Sequence, residues 1–163
     1  MNRPVVYTCG TFDLFHLGHL RMIEHARGLG ETVIVAVSTD KLVEEYKGIR
    51  PIVPFEERLE IVRNIQGVDL AVPQHSQDKY AAWERIAFDV WVVGDDWFGA
   101  EKYENYRRQL TEVGVDCVFL PYTAGISSTQ RREAAAGRIR GTGNDHVRRP
   151  DSADSTVALT EPR

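Results

Sequence analysis

The stretch Thr32-Val33-Ile34-Val35-Ala36-Val37-Ser38 constrains the fold more than any other feature of this chain. Its interior is apolar without a break and mostly β-branched. A strand with one wet face alternates apolar and polar residues, whereas an unbroken apolar run belongs to a strand covered on both faces, as in a parallel sheet between helices. The rest of the sequence agrees. A β-branched run at Val5 and Val6 leads to Leu20, Met22, Ile23 and Ala26, spaced as one face of a helix. Ser38-Thr39-Asp40 supplies helix-start residues for a short segment to about residue 46. Lys47-Gly48-Ile49-Arg50-Pro51 reads as a loop. Pro54 opens a helix with acids in its first turn and Leu59, Ile61, Val62 and Ile65 on its buried side. Further strands are expected at 68–72 (broken by Pro73), 90–93 and 117–120, with helices over 79–87, 101–113 and from 125–129 to about 136. Strand–helix alternation of this kind predicts an α/β fold: one open, doubly wound, Rossmann-like parallel sheet of about five strands joined by right-handed crossovers. Ligands bind such sheets beyond the carboxyl ends of the strands, where strand order reverses.

Length and composition set the remaining bounds. A chain of 163 residues supports one domain with a substantial core, here 1–136. From 137 to 163 the residues turn to Gly, Arg, Asp, Ser and Thr, a polar tail expected to be disordered. The net charge of −4 argues against a broad nucleic-acid-binding surface. No apolar run approaches a membrane span, and the N-terminus enters a strand too soon to read as a signal peptide. Two cysteines, Cys9 and Cys117, each in or beside an expected strand, suggest buried thiols in a reducing, cytoplasmic setting. No spacing suggests a protein metal site.

The chemistry concentrates in Gly10-Thr11-Phe12-Asp13-Leu14-Phe15-His16-Leu17-Gly18-His19, which runs from the first strand into the first helix. His16 and His19 are three apart, which in a helical turn sets both imidazoles on one face. Gly18, lacking a side chain, lets an anion approach the backbone. Unpaired N–H groups at a helix start, with imidazole donors alongside, suit phosphate. Nucleotidyl transfer needs such an arrangement, because the protein mainly positions the reactants and stabilises charge on the α-phosphate and the departing pyrophosphate. The plainer alternative is that the histidines cap the helix.

This string resembles the His-x-Gly-His signature of the cytidylyltransferase-like nucleotidyltransferases, and the resemblance extends from about residue 5 to 136. Gly94-Asp95-Asp96-Trp97, just past the fourth strand, resembles the pattern of the bacterial glycerol-3-phosphate cytidylyltransferases within that family. The resemblance implies transfer of CMP from CTP to glycerol 3-phosphate with Mg²⁺, in a dimer, for cell-envelope polymers of the teichoic-acid kind. His16 and His19 would stabilise the α-phosphate. Lys47 and Arg58 would serve the phosphates, although a loop lysine is ordinarily solvated and Arg58 has Glu57 and Glu60 within pairing distance on its own helix. Gly10, Thr11, Phe12, Gly18, Ser127, Ser128 and Thr129 would hold the nucleotide, with N-capping and turn closure as the plain alternatives for the hydroxyl residues. Asp13, Asp95, Asp96 and Trp97 would orient the acceptor, the nucleotide or Mg²⁺, an ion that needs few protein oxygens.

One departure stands out. Many members carry Arg-Thr-Glu-Gly-Ile-Ser-Thr-Thr where this chain reads Tyr122-Thr123-Ala124-Gly125-Ile126-Ser127-Ser128-Thr129. A phenol in place of a guanidinium forfeits a charge-assisted contact of about 1.5–3 kcal/mol, unless Arg50, Arg131 or Arg132 supplies the charge. Two other readings remain open: an adenylyltransferase of the same fold acting on a sugar phosphate or a flavin or coenzyme precursor, and a catalytically silent nucleotide-binding module.

Overall fold

The structure is a computed structural model that describes residues 4–94, 99–121 and 126–141. Its elements follow one another as β1 (Val5–Gly10), α1 (Leu17–Leu29), β2 (Thr32–Ser38), α2 (Asp40–Lys47), α3 (Phe55–Arg63), β3 (Leu70–Gln74), α4 (Lys79–Ile86), β4 (Val90–Gly94), α5 (Glu101–Glu112), β5 (Asp116–Leu120) and α6 (Ser128–Gly141). The strands form one sheet in the order β3-β2-β1-β4-β5, every neighbouring pair parallel. This is the expected doubly wound α/β architecture. From β1 the chain moves outward through β2 to β3, then returns to add β4 on the other side of β1. The loops leaving β1 and β4 therefore diverge and open a crevice between them.

The continuous apolar run of β2 is buried on both faces by the period-2 geometry of a strand. Val33, Val35 and Val37 pack with Val6 and Val92 against Ile23 and Ala26 of α1 and Val62 of α3. Ile34 and Ala36 point the other way, joining Tyr7, Trp91 and Val93 against Ala82 of α4 and Leu110 of α5. Val33, Val35 and Val37 are fully buried, a state worth about 1.5–3 kcal/mol for each such side chain. At the amino ends of the strands, Asp89 and Asp69 accept from the N–H groups of Val5 and Val33 at 2.7 Å each. That edge is closed, and the carboxyl edge is left for ligands.

The elements differ from the sequence expectation in four places. β3 runs through Pro73, which pairs in register with Val37, instead of breaking before it. It is an edge strand, so alternate N–H groups have no neighbour to serve and a proline costs nothing at such a position. Lys47 is the last residue of α2, not a loop residue, and Gly48 ends that helix in the left-handed conformation (φ 67°). His16 lies outside α1, as its N-cap. α6 continues to Gly141, past the expected end at residue 136. Cys9 and Cys117 are free thiols and half-buried, where full burial was expected.

Candidate active site

The crevice at the carboxyl edge is a cavity of about 910 Å³. Among the described residues, the loop after β1, the end of α2 and the start of α6 all line it. Gly10, Thr11, Phe12, Asp13, His16, Gly18, His19, Lys47, Ser127, Ser128 and Thr129 are brought together there as the sequence predicted. Arg58 is not among the lining residues. Asp95, Asp96, Trp97 and Tyr122 lie outside the described residues.

The two histidines are locked by reciprocal capping of α1. His16 has extended backbone (φ −143°, ψ 174°), and its Nδ1 accepts from the N–H of Gly18 at 3.1 Å. Nδ1 of His19 in turn accepts from the N–H of His16 at 3.4 Å. The rings stack with centroids 3.8 Å apart and planes 16° from parallel. Both capping bonds use Nδ1 as an acceptor, so each neutral ring carries its proton on Nε2. Burial holds His19 far below the usual imidazole value, at about 3, with His16 and Lys47 adding to the shift. Burial, then the charge of Arg131, lowers His16 as well. The pair is neutral at physiological pH and offers the cleft two N–H donors rather than two charges. Gly18 makes the stack possible. A Cβ there would stand 3.0 Å from Cε1 and 3.1 Å from Nδ1 of His16.

Asp13 carries a duty the sequence did not suggest. Its carboxylate is buried, with Oδ1 accepting from Val53 N–H at 2.9 Å and Oδ2 accepting from Ile52 N–H at 3.0 Å and from Arg132 at 2.6 Å. Burial pushes its pKa up, but the donors of Ile52, Val53 and Arg132 outweigh burial and leave it below the ordinary carboxylate value. Both oxygens accept from protein donors, so Asp13 staples the segment before α3 to α6 while still lining the cleft. No cluster of metal-holding side chains occurs among the described residues.

Arg58 is likewise a support. Its side chain is fully buried and pairs with Asp40 at 2.5 Å, not with Glu57 or Glu60. It also donates to Val53 C=O and Ser38 C=O at 2.8 Å each and to Thr11 C=O at 2.5 Å. One guanidinium thus ties the ends of β1 and β2 to the segment that Asp13 grips from its N–H side. Lys47 does reach the cleft, where Nζ donates to Thr11 Oγ1 at 3.2 Å. At α6, Ser127 Oγ accepts from Gln130 N–H at 3.1 Å, and Ser128 Oγ donates to Asp13 C=O at 2.6 Å. The first backbone N–H groups of this helix have no partner within it and point toward the cleft end.

As a site residue Lys79 escaped the sequence reading altogether, and Arg132 entered it only as one of three stand-ins for the charge missing at 122. Lys79 is 1% exposed yet lines the cleft. Nζ donates to the Gln77 carbonyl at 2.8 Å and sits 5.6 Å from the Tyr106 ring centroid, with no carboxylate in reach among the described residues. A buried ammonium without an anionic partner is costly. The available signal was local, because a lysine at the first position of a helix opposes the helix dipole. Arg132 also lines the cleft, and its Nε is buried without a partner among the described residues. Of the other two candidates to replace the charge missing at 122, Arg50 is drawn to Glu44 and Asp40 at 3.6 and 3.9 Å, and the charge of Arg131 bears on His16. Among the described residues, the lining therefore carries Lys47, Lys79, Arg21 and Arg132 against one carboxylate, Asp13, which is already paired. Such a surface is built for a polyanion.

A family profile described as Cytidylyltransferase-like matches residues 7–134. The chain is 36% identical over 141 residues to a glycerol-3-phosphate cytidylyltransferase of Bacillus subtilis (strain 168), covering 81% of this chain and 97% of that one. It is also 36% identical over 137 residues to the bifunctional protein HldE of Streptomyces coelicolor, covering 83% of this chain and 29% of that protein. Among solved structures, a lipopolysaccharide core biosynthesis protein from Thermoplasma volcanium superposes with a TM-score of 0.62 at 21% identity, over 75% of this chain and 98% of that one. That likeness speaks to the fold.

Proposed function

The chain belongs to the cytidylyltransferase-like family, and we propose that it transfers CMP from CTP to glycerol 3-phosphate, releasing CDP-glycerol and pyrophosphate. The observation that carries this reading is the capped histidine pair. Two neutral imidazoles with their tautomers fixed by the backbone present paired N–H donors beside the amino end of α6. Binding alone needs no such pair, whereas charge building on a phosphoryl group does.

In the reaction, an oxygen of the acceptor phosphate attacks the α-phosphorus of the nucleotide. The bond from that phosphorus to the bridging oxygen breaks, and pyrophosphate leaves with the electron pair. His16 and His19 donate through Nε2–H to the α-phosphate and bridging oxygens. Lys47 and Thr11 hold the triphosphate from one side, and the start of α6 with Ser127, Thr129 and Arg132 from the other. Lys79 receives the acceptor's phosphate, an anionic partner it does not have among the described residues. With no cluster of metal-holding side chains among the described residues, a Mg²⁺ ion accompanying the triphosphate would be held chiefly by the phosphates, where it would neutralise charge.

The test is pyrophosphate release in the presence of Mg²⁺, with CTP or ATP, each with and without glycerol 3-phosphate. Release with CTP that depends on glycerol 3-phosphate is the expected result. Release with ATP alone, or only with a different phosphate monoester, overturns the assignment of base or acceptor. Silence across a panel of nucleotides and acceptors favours a binding module.

A further inference from the structure

We propose that Tyr46 belongs to the phosphate-contacting machinery: its hydroxyl and that of Thr11 form a pair that presents one O–H to a nucleotide phosphate oxygen and holds Lys47 against it. The proposal rests on the nucleotidyl-transfer reading and adds to it a residue to which neither the motif nor the fold gives a role.

Tyr46 Oη and Thr11 Oγ1 are 2.9 Å apart, and either can be the donor. Lys47 Nζ donates to the same Thr11 oxygen at 3.2 Å and lies 5.4 Å from the centroid of the Tyr46 ring. All three side chains line the cleft. Counting protons settles what the cluster offers. Two hydroxyls carry two protons, and the bond between them uses one. If Tyr46 donates, Thr11 accepts both from it and from Lys47, and the Thr11 proton is left over. If Thr11 donates, the Tyr46 proton is left over. In either case one O–H has no acceptor among the described residues, in a cavity whose sole described carboxylate is spent on Arg132, Ile52 and Val53. A phosphate oxygen satisfies it.

The location of the residue supports a role for the hydroxyl rather than the ring. One turn back along α2, Leu42 and Val43 are buried and anchor the helix, while Tyr46 is half-buried at its end. A phenylalanine would cover the same surface. The hydroxyl adds nothing to packing, yet it occupies the one neighbour of Lys47 that can adjust by rotating a single O–H. Tyr46, Thr11 and Lys47 line the same cleft as His16 and His19, so the hydroxyl pair and the histidine stack face one cavity.

Tyr46→Phe and Thr11→Val each remove one hydroxyl with little change of shape. In pyrophosphate release, each single variant should lose about tenfold in kcat/KM for the nucleotide, with the KM for the acceptor unchanged. The double variant should lose no more than the larger single loss, because either deletion removes the bond that orients the surviving O–H toward the phosphate. Thermal midpoints within about 2 °C of the parent confirm that folding is not the cause. A Tyr46→Phe enzyme with parental kinetics, or losses that multiply to about a hundredfold in the double variant, overturns the proposal. Should the parent protein turn over no nucleotide, the functional reading falls, and calorimetric titration with CTP and ATP still decides this inference. Weaker binding by both single variants without further loss in the double upholds it, and unchanged affinity refutes it.

Discussion

Replacing Arg58 by Met separates two roles that the sequence leaves entangled. A phosphate-binding arginine should cost affinity when removed and little stability. The structure instead puts the guanidinium under the cleft, with its side chain fully buried against Asp40 and three carbonyls, those of Thr11, Ser38 and Val53. Methionine fills much of the volume but pairs with none of them. Each orphaned buried acceptor costs about 1–3 kcal/mol. The three share one loop junction and relax together, so the sum overstates the loss. Removing one partner of a buried ion pair costs about 3–5 kcal/mol, and that range is the expected destabilisation. For a domain of this size it corresponds to a fall in Tm of about 6–20 °C, a large share of a typical total stability of about 5–15 kcal/mol. Urea unfolding of the ligand-free protein, read by tryptophan fluorescence, measures it directly. Arg58→Lys should recover little, since one ammonium cannot span four acceptors in a planar fork. A variant that melts within about 2 °C of the parent while its nucleotide KM rises tenfold or more would refute the reasoning and return Arg58 to the phosphates.

Lys79→Met should show the opposite signature, because it removes a buried charge that has no described carboxylate. Its Tm should hold or rise, while the acceptor KM climbs tenfold or more and the nucleotide KM stays put; a matching rise in both KM values would take Lys79 away from the acceptor. Gly18→Ala pushes a methyl to 3.0 Å from the His16 ring. Single-turnover rates should drop about tenfold or more from misplacement of the pair, with nucleotide affinity nearly kept, and an unchanged rate would mean the stack is not the reacting geometry. Both histidines titrate below the ordinary value of 6.5, His19 near 3, so both are predominantly neutral at pH 7 and His19 stays so on mild acidification. kcat/KM should therefore not rise as pH falls from 8 toward 6.5. A rate that climbs over that interval, and stops doing so in His16→Asn, would show that an imidazolium is required.

The fold was legible because burial on both faces leaves a strand no alternative pattern, and β2 matches its expected bounds residue for residue. Pro73 misled for a reason equally physical. The rule against proline in strands is a rule about hydrogen bonds, and an edge strand leaves half of its N–H groups without that duty. In the site, the residues legible from the motif were those whose backbone geometry the motif itself dictates: Gly18, His16 and His19. Asp13 was assigned to the ligand because it sits in the phosphate loop, and Arg58 because the resembling family carries a phosphate-serving arginine at that place. Their true partners, Val53 and Arg132 for one and Asp40 and Ser38 for the other, are distant in sequence and adjacent only once β1, β2 and α6 have assembled. Lys79 was hidden more completely. Its burial depends on α4 and α5 meeting beside β4, and the one local sign, a lysine opposing the dipole at a helix start, does not reveal that.

The motif string carries a physical conflict, and the conflict explains its composition. Phe12 and Leu14 both adopt left-handed backbone (φ 55° and 49°) without being glycine. Each such residue costs about 1–3 kcal/mol and persists only where its surroundings over-determine it. The supports are identifiable. The Phe12 ring is buried between Gly10, where an added Cβ would stand 3.3 Å from it, and the rings of Phe15 and His19 at 6.4 and 5.2 Å. Asp13, between the two strained residues, is gripped by two backbone N–H groups and a guanidinium, and its own carbonyl accepts from Ser128. The loop thus lines the cleft with residues that also hold its strain. Substituting a strain-holding residue should then damage the site as much as substituting a phosphate-contacting one, but by a different route. Asp13→Asn keeps a carbonyl for one N–H and gives up the ion pair with Arg132, so it should loosen the register between the histidine stack and α6 and lower kcat before it alters either KM.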